Sequence, residues 1–393
     1  MKTRLLVLSL LLSSAALAQG IDPWRSLSGT AGNPGTTSPW VRTGAGGWTF
    51  FHALDAHLTY VSESGPEEQR NEAFSTNWLA AGLLREFGDK GFALVRGRVS
   101  LEPYTIADND GYPQMLQYVS PEAGGVLVDR MRPHDLIGEA AVQVGWRPTR
   151  STMLSVYAAA VGDPALGAPP AEMRASGIDF AEVPFAYDVQ ELTHDSTSVI
   201  TASFATRLIT LEGSVFHDAV TTGDHTEIDS GDIDSRSFRI TLTPGSNIAI
   251  QASRAELGED PVQHTVSTAS VTFGSPNVAV TALWTQRENE TRDTETAYGF
   301  EAALRGARNT FMGRVERVDR PFGFPDLPLP QRPVAVEPST HFAIGYIFDF
   351  IAGSHYRAGA GVNIDYHTQA HDLPDRYGHK PQAIYAFLRF RSN

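Results

Sequence analysis

The 393-residue chain has no cysteine, which excludes a disulfide framework, a thiolate metal site, a thiol nucleophile and a cysteine-linked lipid anchor. Long apolar runs are also missing. Beyond the first twenty residues the longest, such as Ala80 to Leu84, fall far short of the roughly 18 residues of a transmembrane helix, so no helical membrane bundle is possible. Bases are outnumbered, 31 against 45 acids, for a formal charge of −14. The basic patches that phosphate recognition needs are therefore not expected, and nucleic acid is not a partner. Glycine and proline make up about 15% of the chain, too little for a disordered composition.

What is present begins with a secretory signature. Lys2 and Arg4 precede an apolar stretch over 5–17, and Ala16-Leu17-Ala18 forms a small-x-small cleavage site before Gln19. Residues 1–18 are expected to be a signal peptide. Residues 19–47, rich in glycine, threonine, serine and proline, read as a short periplasmic lead rather than a plug.

From residue 48 onward one pattern recurs: about ten positions of apolar and polar alternation, then a turn or loop. In residues 48–62, Phe50, Leu54, Ala56, Leu58 and Tyr60 share one face, and Asp55, His57 and Thr59 the other. After the Gly88 to Gly91 turn, Val95, Val99 and Leu101 oppose Arg96, Arg98 and Glu102. A face carrying two arginines cannot meet lipid or a dry core, so it is expected to be wet. The same reading holds for residues 136–146 and 296–305.

Seven short connections alternate with eight longer ones, which implies about 16 strands, with 14 to 18 possible. The expected fold is all-β: a transmembrane antiparallel barrel over 48–393, with short periplasmic turns and long extracellular loops. A soluble sandwich or propeller would turn its apolar faces inward. Here Trp146, Trp284, Tyr346, Phe348, Tyr366 and Phe390 stand near strand ends on outward faces, as interfacial girdles do.

The alternation Ile384, Ala386, Leu388, Phe390 resembles the terminal strand by which the barrel-assembly machinery recognises bacterial outer-membrane proteins, although Arg391, Ser392 and Asn393 follow the aromatic residue. Gly111-Tyr112-Pro113, the stretch from Asp129 to Leu136, and Gly162-Asp163-Pro164-Ala165-Leu166-Gly167 resemble a family of predicted outer-membrane proteins without an assigned activity. Members of that family often carry extra histidines near Arg132, Met173 and Ala186-Tyr187, which this chain lacks. The resemblance implies fold and a Gram-negative envelope location, not function.

Lumen or constriction candidates are Asp55, Arg96, Arg98, Glu102, Glu139, Arg239, Glu301, Arg305, Arg314, Glu316, Asp349, Arg357, Asp365 and Arg389. Opposed charges of this kind set a transverse field and tune passage of small solutes; the plainer reading is that they pair across a filled lumen. Loops 103–133 and 163–195 are richer in apolar residues than solvated loops need, so one or both are expected to tuck into the barrel. Loops 62–72, 163–195 and 218–236 hold most of the excess acid, which predicts an acidic extracellular rim. Such a rim favours cations and can bridge to lipopolysaccharide through divalent ions.

Ten of the 12 histidines, His341 and His367 among them, map to the extracellular half. His134, His194, His217 and His371 each precede an aspartate and are the metal candidates, although neighbours on a strand point to opposite faces and do not chelate by adjacency alone. No cofactor and no catalytic residue is assigned. Asp55 with His57, and His194-Asp195-Ser196, are the groupings a barrel hydrolase acting on lipids would use. The expected function is a channel passing small solutes with weak cation preference; the alternative is a non-conducting barrel that binds a divalent metal or a partner at its rim.

Overall fold

The computed structural model describes residues 22–64, 71–106, 114, 119–121, 127–129, 133–191, 193–218, 225–259, 262–289, 292–321, 336–368 and 381–393. Its strands are β1 (Val41–Ala45), β2 (Trp48–Glu63), β3 (Asn71–Glu86), β4 (Gly91–Val99), β5 (Val119–Pro121), β6 (Leu127–Asp129), β7 (Ile137–Thr149), β8 (Thr152–Val161), β9 (Thr197–Thr206) and β10 (Ile209–His217). They continue as β11 (Ser235–Gly245), β12 (Ile248–Glu259), β13 (Val262–Gly274), β14 (Val278–Asn289), β15 (Arg292–Arg305), β16 (Asn309–Pro321), β17 (Val336–Ala352), β18 (Tyr356–Thr368) and β19 (Gln382–Ser392). Strands β2 to β4 and β7 to β19 form one antiparallel sheet, which closes where Ala383 to Arg391 of β19 pair with Glu63 to Asp55 of β2. Sixteen strands make the barrel. Strand β1 folds back on the start of β2 as a ribbon at the short-turn end.

The polarity is inverted relative to a soluble protein. Leu58, Tyr60, Val95, Val142, Phe300, Ile344 and Leu388 are exposed on the outer wall, while Arg96, Arg239, Glu301, Arg314, Asp365 and Arg389 are buried inside. Closure satisfies every wall strand on both edges, so the apolar exterior can face hydrocarbon without unpaired backbone groups. No helix among the described residues is long and apolar enough to cross a membrane; the strands cross it. Trp48, Phe87, Trp146, Phe348 and Phe390 are exposed near the short-turn end and form the girdle that interfacial aromatics make.

Four expectations are corrected. Only two residues separate Glu259, the end of β12, from Val262, the start of β13, and only two separate Asn289, the end of β14, from Arg292, the start of β15, so two connections expected to be long are tight hairpins. Residues 22–40 do not trail outside as a lead. Leu27, Ser28, Ala31, Asn33 and Trp40 are buried within the lumen, because the wall supplies hydrogen-bonding partners for their backbone. Glu102 is not on a strand: β4 ends at Val99, and Glu102 opens the helical turn Glu102–Thr105. The arginine-bearing wall face is not wet either, since Arg96 and Arg98 are 2% and 3% exposed; opposite charges neutralise them instead of water.

The agent of that burial is the connection between β8 and β9, residues 162–196. Almost all of it is buried, so it runs through the lumen as a plug. An apolar cluster joins the inserted segments to the wall: Leu27, Trp40, Met173 and Ile178 pack with Phe51, Trp78 and Leu84. The other loop expected inside, 103–133, lies largely outside the described residues, as do the signal peptide and His371.

Candidate functional site

The lumen network has three parts, each joining the wall to an inserted segment. On the first, Arg96 grips Glu139 with both arms of its guanidinium (Nε to Oε2 2.6 Å, Nη2 to Oε1 2.7 Å). Arg96 also donates to the carbonyls of Ser26 (3.1 Å) and Gly29 (2.7 Å), while Glu139 accepts from the Gly29 amide (3.1 Å) and the Tyr157 hydroxyl (2.8 Å). Arg239 pairs with Glu212 at 2.8 Å and reaches Thr30 and the Gly167 carbonyl. Two wall arginines therefore hold the N-terminal segment.

The second part anchors the β8–β9 plug. Arg174, from the plug, pairs with Glu301 of β15 at 2.7 Å and with Glu191 at 2.8 Å, and Ser176 donates to Glu301 at 2.7 Å. Asp179 accepts hydrogen bonds from Arg305 of β15 and Arg389 of β19, and Arg391 of β19 faces the same carboxylate as an ion pair at 3.1 Å. Arg389 also meets Asp349 at 2.7 Å, which in turn meets Arg357 at 2.9 Å. Arg314 stands 3.5 Å from both Glu182 and Glu301, its guanidinium 4.1 Å above the Phe180 ring. Burial alone would raise the Asp179 carboxyl, but Arg305, Arg391 and Arg389 hold it far below the ordinary carboxylate range. It is a permanent anion in a nest of cations.

The third part contains histidines. His194 donates to Asp163 (2.9 Å), lies 3.1 Å from Glu172 and 3.3 Å from Arg98, and packs edge-on to His134 at 5.1 Å. Burial opposes its charging, yet Asp195 and Asp163 raise the imidazolium well above its ordinary value. Arg98 closes this group on Asp195 at 2.5 Å, and Glu102 accepts from the His134 amide at 2.9 Å. His134, Glu172 and His194 offer ligand atoms within 4.8 Å of one another, as do His341, Asp365 and His367. The latter row lies where His341 bridges Glu316 and Asp365, each at 3.0 Å.

All fourteen lumen candidates are placed by this geometry. Twelve are buried on the inner side, Arg305 and Arg357 stand at the short-turn mouth, and Asp55 meets His57 at 3.0 Å apart from the main network. Of the metal candidates, His134 and His194 come together, whereas His217 pairs with Asp234 at 2.7 Å elsewhere on the rim. Ser196 donates to the Thr193 carbonyl at 2.8 Å rather than to His194. The partners that sequence reading placed on the rim are the seven acids of residues 163–195. Among them Asp163, Asp179, Glu182, Glu191 and Asp195 bind lumen bases or histidines. Their signal was present in the apolar content of that loop.

The space left is uneven. Two interior voids measure about 50 and 20 Å³, room for little more than a water. A vestibule of about 570 Å³ opens at the short-turn end, lined by Thr36 to Pro39, Arg305, Arg357 and Arg391.

No family model matches the chain, and no curated protein matches it in sequence. Solved structures do resemble it. Salmonella typhi OmpF, in a complex with daunomycin, superposes with a TM-score of 0.56 at 9% identity, covering 89% of this chain and 100% of that one. An anion-selective porin from Comamonas acidovorans gives 0.51 at 9% identity over 88% and 99%. The fold is that of an outer-membrane β-barrel.

Proposed function

We propose that the protein is an outer-membrane channel for small solutes whose lumen is narrowed by its own β8–β9 loop and N-terminal segment. The observation that carries this reading is the anchoring of residues 162–196 on wall charges, chiefly Asp179 on Arg305 and Arg389. Charged groups lining such a narrowed passage can select among solutes. The seven acids of 163–195 against the single Arg174 shift the interior toward negative charge, which favours cations. The basic vestibule keeps that preference weak.

Planar-bilayer recording tests the proposal. The intact barrel should show small, weakly cation-selective steps, and deleting residues 167–183 should enlarge them severalfold. Silence from both would support the second reading, a non-conducting barrel, which the small interior voids favour. Exposed Glu227, Asp229 and Asp232 remain as the acidic rim where divalent ions would bridge lipopolysaccharide, and β19 as the strand presented to the assembly machinery. The hydrolase reading has less support: the Nε2 of His57, which would face a nucleophile, has no hydrogen-bond partner among the described residues.

A further inference from the structure

The row of buried groups on β16, β17 and β18 does more than neutralise charge. Glu316, His341 and His367 are opposite one another across the three strands, so their side chains stand side by side on the lumen face. Asp365 lies two residues from His367 along β18 and therefore on the same face. The two imidazoles stack at 4.6 Å with 21° between their planes, and Phe185 of the plug covers His367 edge-on at 5.0 Å. His341, Asp365 and His367 are each at most 1% exposed.

With a neutral His341, hydrogen-bond bookkeeping leaves this group short of one proton or one metal ion. His341 has Glu316 at Nδ1 and Asp365 at Nε2, each at 3.0 Å. A neutral imidazole carries one N–H, so if Nδ1 donates to Glu316, the Nε2 lone pair points at a carboxylate oxygen. That contact is repulsive unless a positive charge lies between them, either a second ring proton, which lets an imidazolium donate to both carboxylates, or a metal ion in its place. The other oxygen of Asp365 is buried without a hydrogen-bond partner. Arg314, the guanidinium of this region, is occupied by Glu182 and Glu301.

We propose that His341, Asp365 and His367 form a divalent transition-metal site of the zinc class on the lumen wall. Two imidazoles and one carboxylate are a zinc-type donor set rather than the all-oxygen set of calcium or magnesium. Ligand atoms around a tetrahedral ion with bonds of ~2.0–2.1 Å sit about 3.3 Å apart, and here the three lie within 4.8 Å of one another. Glu316 occupies the position of the carboxylate that orients a ligating histidine through its other nitrogen. The inference rests on the fold and not on conduction, so it stands or falls separately from the channel reading.

The test uses the full-length barrel, refolded in detergent, stripped with a chelator and titrated with cobalt(II), then with zinc in competition. The expected result is one equivalent of cobalt with the strong visible absorption of a tetrahedral site, displaced by zinc. Asp365→Asn and His367→Gln should each remove that band. Glu316→Gln should keep the band but weaken binding 10–100-fold, and His134→Gln should leave both unchanged. Gel migration of the folded form certifies each variant, and His367→Gln decides if Asp365→Asn does not fold. No tetrahedral band from the unaltered protein, or a band lost in His134→Gln but kept in Asp365→Asn, overturns the proposal.

Discussion

Asp179 and Arg389 lie 210 residues apart in the chain and meet inside the barrel with neither side chain exposed. Arg305 and Arg391 converge on the same carboxylate, so one plug residue contacts three wall cations. Removing one member of a buried ion pair costs about 3–5 kcal/mol, because the other is left charged and dry. Asp179→Ala should therefore undock residues 162–196 while the 16-strand wall, bonded through its backbone, stays closed. Limited proteolysis would show cleavage within the loop alongside a folded gel band. A loop as resistant as that of the unaltered protein would contradict the anchoring role.

Gly29 of the N-terminal segment lies tight against Asp163 of the plug. Its φ is +51°, and a Cβ there would lie 2.3 Å from the Asp163 carbonyl oxygen. Left-handed backbone costs other residues about 1–2 kcal/mol, and the clash adds to that. Gly29→Ala should release residues 25–33, read as faster amide exchange there, with strand amides unaffected. Exchange unchanged at Gly29's neighbours would show that the segment is held elsewhere.

Acidity should tighten the plug. Burial, only partly offset by Arg174, raises the Glu191 carboxyl from 4.5 to about 6, with Glu172 adding to the rise and His194 opposing it. A carboxyl with a higher pKa when docked favours docking when protonated. That contribution, about 2 kcal/mol for such a shift, is fully present below pH 4.5 and lost as pH rises through about 6. His194, raised by Asp195 and Asp163, acts in the same sense over a higher range. Asp179 and Asp163, both depressed, oppose it only where pH falls below their ordinary 3.8. Loop cleavage should accordingly be slower at pH 5 than at pH 7.5, and Glu191→Gln should flatten the difference. A rate that falls with rising pH would reverse the assignment.

Membrane contact is testable at Ile344, in the middle of β17 and 65% exposed. Arginine on the lipid face near the midplane costs about 2–4 kcal/mol, against about 0–1 kcal/mol near the interfaces. Ile344→Arg should lower the unfolding free energy in vesicles by that larger amount, measured by urea titration, whereas Phe348→Arg near the strand end should cost less. Equal effects at both positions would argue against a bilayer-spanning wall.

Much was legible in the residues because strand geometry is local. A period of two puts Phe50, Leu58 and Tyr60 outside and Asp55, His57 and Thr59 inside whatever the rest of the chain does. Turn residues such as Gly88 to Gly91 mark strand ends, and from these the sixteen-strand barrel could be counted. The tight β12–β13 and β14–β15 hairpins escaped because charged residues such as Glu288 and Arg292 continue their strands past the point where alternation stops being apolar.

The sequence by itself therefore determined the wall: its two faces, a strand number near sixteen and the presence of charges of both signs on its lumen side. Only the tertiary structure decided what fills it. Asp179 reads as one more loop acid until β15 and β19 bring Arg305, Arg389 and Arg391 to it. Gly29 meets Glu139 across 110 positions, and His341, Asp365 and His367 align through strand register that no adjacency in the chain records. Alternation is a property of neighbours along one strand, whereas burying a charge depends on which distant partner closes on it.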